Sequence, residues 1–252
     1  MRTMVLPMLL LAGLLAVAPA RAEDAPSAPS ACDVPDYLLA TESQLPKVAG
    51  AIRDHRALEI LVIGSRSSTI TSSEDSAYPA RLQAMLKERF PATPVHVSVE
   101  LQNKKSAEEA ASGFVKLMEE KKPSLAIWQT GTIDAMRSID PEEFRNAVTG
   151  GVAALQDAGA DVILMNPQYS PRTETMISVS PYLDSLRVVA QDRDIPLFDR
   201  FAIMHQWQDQ GDFDLFSPSH GSDLAKRVHD CLGRALTKFI VDAAHIDPAQ
   251  KN

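Results

Sequence analysis

The sequence predicts one α/β domain built in three layers, with helices on both faces of a parallel sheet. Two observations carry this reading. Short, β-branched apolar runs alternate with longer stretches of helical spacing along the chain. No linker and no internal repeat interrupts the alternation. A third observation bounds it: 252 residues, 45% of them hydrophobic, supply material for one generous core.

The elements follow in order. The run 58–64 (LEILVIG) is the strongest strand, rich in branched residues and closed by glycine. The span 78–90 has helical spacing, with Leu82, Met85 and Leu86 on one face. Strand 95–99 precedes a helix over 106–121 that opens on Ser106 and two acids. Strand 124–129 comes next, then a helix over 141–158 with Pro141 at its start and acids in its first turn. Strand 160–166, a helix near 180–192, a short strand at 196–199 and a final helix over about 222–241 complete the series. Trp128 reads as core, and Trp207 with Phe201 and Met204 as the buried face of a short helix.

The N-terminus is of a different kind. Arg2 precedes an apolar run from Val5 to Val17, and Ala20-Arg21-Ala22 places small residues where a signal peptidase looks. A membrane anchor would want about 20 apolar residues. This run is shorter, and Pro7 and Pro19 interrupt its edges. Residues 1–22 therefore read as a cleaved signal peptide, 23–45 as an N-terminal extension and 46–245 as the folded domain. The expected location is periplasmic or secreted, with no membrane span after cleavage and no lipid-anchoring cysteine behind the run.

Export changes the charge and gives the cysteines a meaning. The whole chain has 25 basic and 33 acidic residues, a formal net charge of −8. Loss of Arg2 and Arg21 leaves 23 against 33, or −10. Such a chain, with no basic stripe, is a poor partner for nucleic acid. In an oxidising compartment Cys32 and Cys231 are expected to form a disulfide; two unpaired buried thiols are the alternative. Neither cysteine has a His or Cys at ligand spacing, so no metal site is expected.

In open α/β sheets ligands bind beyond the carboxyl ends of the strands. That selects residues 64–69, 101–106, 130–134, 166–172 and the segment before the last helix. The first is Gly64-Ser65-Arg66-Ser67-Ser68-Thr69, a turn rich in hydroxyls. The third contains Gly131-Thr132-Ile133-Asp134, the fourth Tyr169-Ser170-Pro171-Arg172, and the last runs from Asp212 through Asp214 to His220. A serine early with an Asp/His pair late is the minimum set for hydroxyl-based acyl transfer.

Through LVIGSRSST, AYPARLQAMLKERFP, PSLAIWQTGTIDAM, ADVILMNPQYS and DLFSPSHGSDLAKRVHDCL, the sequence resembles the SGNH (GDSL-type) hydrolases, in an exported bacterial branch. The resemblance spans Cys32 to about Leu236. It implies a flavodoxin-like α/β/α sandwich and hydrolysis or transfer of acyl groups, without metal or other cofactor.

The catalytic blocks depart from that pattern. The family's Gly-Asp-Ser places its nucleophile, counted from Gly64, at Arg66; a one-residue shift gives Ser67 and local re-aiming Ser65. Residues 101–107 lack the second block's glycine. Gly131 fits the third block, but Ile133 takes the place of the oxyanion asparagine. From Asp214 the Asp-x-x-His spacing lands on Ser217, and His220 comes three residues late. Two readings stay open. One is a divergent esterase or acyltransferase using Ser65 or Ser67 with Asp214 and His220. The other is a non-catalytic relative that binds a small acylated, anionic or carbohydrate ligand, or a partner protein, through Arg66, Gly131, Thr132, Asp134, Tyr169 and Arg172. The Ser65–Thr69 turn, Asp134 and the loop at Tyr169–Arg172 also have plain structural uses, as caps and turns.

Overall fold

The computed structural model describes residues 32–216 and 221–246. The signal-peptide reading and the His220 assignment fall outside those residues. Five strands, β1 (Leu58–Gly64), β2 (Val95–Leu101), β3 (Leu125–Gln129), β4 (Asp161–Met165) and β5 (Leu197–Phe198), form one sheet in the order β2-β1-β3-β4-β5. Every pairing is parallel, as the alternation of strands and helices predicts.

Strand parity divides the core. Leu58, Ile60 and Val62 of β1, Leu125 and Ile127 of β3, and Ile163 and Met165 of β4 face one layer. That layer holds α2 (Pro46–Arg53), α3 (Tyr78–Arg89), α10 (Arg200–Asp209) and α11 (Gly221–Ala243). The alternate residues, Leu61, Ile63, Ala126, Trp128, Val162 and Leu164, face the other. There lie α4 (Ala107–Ala111), α5 (Phe114–Lys121), α7 (Pro141–Asp157) and α9 (Ser180–Asp192). Trp128 is core, packed edge-on to Phe114 at 4.8 Å between ring centroids.

The single helix expected over 106–121 is two. Ser112 ends α4, its hydroxyl donating back to the Glu109 carbonyl at 2.9 Å, and Gly113 caps α5. The Ser106 signal is a full capping box: Ser106 Oγ accepts from Glu109 N, and the Glu109 carboxylate accepts from Ser106 N. Three short helices had no periodicity long enough to announce them: α1 (Asp36–Leu39), α6 (Thr132–Met136) and α8 (Pro171–Met176).

A disulfide joins Cys32 to Cys231 of α11 across 199 residues. It ties the lead-in segment to the last helix. The same segment is held by Trp207 Nε1 donating to the Asp33 carbonyl at 3.2 Å, and Leu39 and Leu45 are buried in the α3/α11 layer. Among the described residues no helix is long and apolar enough to cross a membrane.

Candidate functional site

The chain runs from β1 outward to β2 and then returns to β3 on β1's other side. The reversal of order therefore lies between β1 and β3, which is where ligands sit in sheets of this kind. A cleft of about 440 Å³ opens there. Ser65, Arg66 and Ser67 line it from the end of β1, Asn103 and Lys104 from β2, Thr132 and Ile133 from β3, and Gln168, Ser170 and Thr173 from β4. A larger groove of about 880 Å³ lies at the opposite edge, near Ser124 and Gly159, where β3 and β4 begin. Volume alone would favour it. Topology and the polar network described next favour the first.

Local chemistry sets the β1 turn. Ser65 is extended and Arg66–Ser68 form one 3-10 turn, closed by Ser68 N donating to the Ser65 carbonyl at 2.8 Å. Ser68 folds back over the end of the strand, so that a Cβ on Gly64 would overlap its hydroxyl. Arg66 is thereby exposed at the rim while Ser68 is buried.

Gln129 closes β3. Its parity with Leu125 and Ile127 turns it toward α3, α10 and α11, and it is buried. Arg200, the first residue of α10, is fully buried beside it. The Arg200 guanidinium donates to Gln129 Oε1 at 3.2 Å and to Ser67 Oγ at 3.4 Å. A guanidinium has no acceptor, so the amide oxygen must face it. Ser68 Oγ donates to the same oxygen at 2.6 Å, and Tyr78 OH donates to Ser68 Oγ at 3.1 Å. The amide nitrogen is left facing outward, donating to Ser65 Oγ at 2.8 Å and Ser67 Oγ at 3.0 Å. The two hydroxyls lie 3.3 Å apart.

Arg200 has no carboxylate partner among the described residues; the titratable groups beside it are Tyr78 and His229. Burial pulls its pKa down to about 10, so it stays cationic at neutral pH. Its Nε finds no acceptor among the described residues. Burial pushes the Tyr78 phenol up, partly opposed by Arg200 and by the bond to Ser68. His229 of α11 accepts from Tyr78 N through Nδ1 at 2.9 Å, and burial, aided by Arg200, lowers its pKa to about 4. It is a neutral imidazole.

Arg200 is fixed from β4. Asn166, fully buried, donates to Asp199 Oδ1 at 2.6 Å and accepts from Phe201 N at 2.8 Å. Asp199 also caps α10 through Ala202 N.

Of the residues expected at the site, Ser65, Arg66, Ser67 and Thr132 meet in the cleft. Gly131 lines, with Ser65, Thr132 and Ile133, a small hollow beside it; Tyr169, Arg172, Asp134 and Asp214 do not line the cleft. Tyr169 is buried against Phe201 and His205, in the α10 layer, so it builds no mouth beside Arg66. Arg172 is exposed on α8, and Thr173 lines the cleft in its stead. Asp134 is buried and accepts from Ala107 N at 2.9 Å, holding the start of α4 rather than a ligand. Burial raises its carboxyl, opposed by that N–H and by Arg137. Gly131 takes φ +100 where α6 begins, a conformation that favours glycine. Asp214 is exposed and accepts from Phe216 N at 3.0 Å. No group of three or more His, Cys, Asp or Glu able to hold a metal occurs among the described residues.

Residues 31–246 match the Non-GDSL lipase-like family, most of the chain. The chain belongs to that family. Its fold is that of the SGNH/GDSL-like hydrolases. This Non-GDSL member superposes on TesA with a TM-score of 0.55 and 16% identity, covering 71% of this chain and 99% of that one. A catalytic mutant of Axe2, an acetylxylan esterase from Geobacillus stearothermophilus, gives 0.58 and 14%, with 77% and 96% covered. A two-domain esterase active on acetylated mannans gives 0.64 and 13%, over 84% of this chain and 57% of that one. At these identities the likeness is one of fold. No curated protein matches the sequence.

Proposed function

We propose that this Non-GDSL family member is an exported binding protein that holds an anionic or carbohydrate ligand in the β1/β3 cleft and does not hydrolyse it. One observation carries the reading: an exposed arginine, Arg66, occupies the nucleophile's place after Gly64, and the flanking serines are engaged by donors. A serine attacks a carbonyl only when a base takes its proton. Ser65 Oγ and Ser67 Oγ instead receive hydrogens from Gln129, and Ser67 also from Arg200. Among the described residues no imidazole or carboxylate bonds to either. Ile133 at the oxyanion asparagine's place and Ser217 at the histidine's place point the same way. Export is supported by the pattern of residues 1–22 and by the Cys32–Cys231 bond.

A second reading keeps one supporting observation. Ser65 and Ser67 reach the cleft surface, in a fold shared with esterases acting on acetylated xylan and mannan. It would need His220 as base. Steady-state hydrolysis of p-nitrophenyl acetate separates the two. The binding reading expects background turnover, equal in wild type, Ser65→Ala, Ser67→Ala and His220→Ala. Turnover above background that any one of these abolishes would establish the hydrolase.

A further inference from the structure

We infer that the cleft seats the anionic group of its ligand (carboxylate, sulfate or phosphate) on the Ser65 and Ser67 hydroxyls, with buried Arg200 as counter-charge behind them. This rests on the binding reading above and narrows it. The direction of the hydrogen bonds is the reason. Arg200 can only donate, which fixes Gln129 Oε1 inward and Gln129 Nε2 outward. Ser67 Oγ therefore accepts from Gln129 and Arg200 together, and Ser65 Oγ accepts from Gln129. The contact between the two hydroxyls uses at most one of their hydrogens. At least one O–H is left to donate into the cleft.

Charge agrees with this polarity. A fully buried guanidinium with neither a carboxylate partner nor an acceptor for Nε among the described residues is costly on its own. An anion on Ser67 would lie one hydroxyl away from it. At the rim stand Arg66 and Lys104, and the described residues of the cleft lining include no acid, in a chain with a large acidic excess. The Lys104 loop is held in place by Arg137, which donates to the Lys104 carbonyl at 2.7 Å and pairs with Glu109 at 2.9 Å. A neutral sugar offers donors as well as acceptors and gains nothing from an uncompensated cation.

The test is a calorimetric and thermal-shift titration of the full mature protein with inorganic phosphate, sulfate and acetate. Xylobiose serves as the neutral probe, and chloride holds the ionic strength constant. Millimolar anion is used so that general salting effects stay small. Wild type is expected to show saturable binding of at least one anion. Arg66→Gln and Ser67→Ala should each weaken it by roughly tenfold or more, the scale of one charge-assisted hydrogen bond. Arg200→Gln is expected to lose anion-induced stabilisation while its ligand-free melting temperature is held or raised. A purely structural arginine would instead lower that temperature. Should Arg200→Gln not fold, the Arg66 and Ser67 variants decide. No saturable anion response, or one that these two variants leave intact, overturns the inference. Xylobiose binding without anion binding overturns it and leaves the binding reading standing. Ester turnover lost in Ser67→Ala would remove that reading instead.

Discussion

Replacing Gln129 by leucine tests whether the buried polar network is built as described. The side chain serves four partners, and their surroundings decide what its loss costs. Ser65 and Ser67 border the cleft and recover partners from water. Ser68, 1% exposed, and Arg200, 0% exposed, do not. Each buried group left short of a partner costs about 1–3 kcal/mol, with a charged group at the upper end. Gln129→Leu should therefore destabilise the fold by roughly 3–5 kcal/mol. Gln129→Glu keeps an acceptor for both Ser68 and Arg200 and places a charge beside the unpaired guanidinium. The gain from that pair and the cost of burying a carboxylate oppose each other, and the expected change is within about 1.5 kcal/mol of wild type at neutral pH. The assay is urea unfolding followed by fluorescence of the buried Trp128 and Trp207. A leucine variant within about 1 kcal/mol of wild type would refute the network. So would a glutamate variant as unstable as the leucine one.

Three further predictions follow from the same structure. Gly64→Ala puts a methyl onto Ser68 Oγ and should cost about 1–3 kcal/mol by displacing the 3-10 turn; an unchanged urea midpoint would contradict it. Removing the disulfide with Cys32→Ser and Cys231→Ser opens a 199-residue loop. The chain-entropy ceiling is about 5 kcal/mol and 2–5 kcal/mol is the usual range, so reductant should destabilise wild type and leave the double variant unaffected. His229 has its pKa lowered from 6.5 to about 4. Between those values the unfolded chain binds a proton that the folded one refuses, so stability falls as pH drops from 6.5 toward 4. Its ceiling is about 3 kcal/mol, and His229→Gln should flatten that part of the profile; an identical pH slope in the variant would show that His229 is not the group responsible.

The sheet was legible because β1, β3 and β4 are buried on both faces and read as continuous apolar runs, while β2, at the edge, alternates valine with polar residues and the helices between carry clear periodicity. The 106–121 pattern misled because Ser112 and Gly113 interrupt a helix without disturbing its apolar spacing. Ser65, Arg66 and Ser67 were legible by position alone, directly after the first strand. Gln129 was not: it ends a run otherwise made of core residues, and only strand parity turns it toward α10. Arg200 was missed although a signal existed. The rule that selected residues after the first four strands applies equally to β5, and Asp199-Arg200 stand directly behind it. Tyr169 and Arg172 follow the right strand, yet Tyr169 packs on Phe201 and His205 of α10, and Arg172 stands exposed at the start of α8. Asp134 was drawn away by an amide from a helix opening 27 residues earlier, a contact that sequence distance conceals.

Central to the binding reading is that no base takes the proton of the serines beside Arg66. Treatment of the purified protein with a fluorophosphonate, followed by intact-mass measurement and peptide mapping, tests this. No adduct on Ser65 or Ser67 is expected. A stoichiometric adduct on either, lost in the corresponding alanine variant, would contradict it.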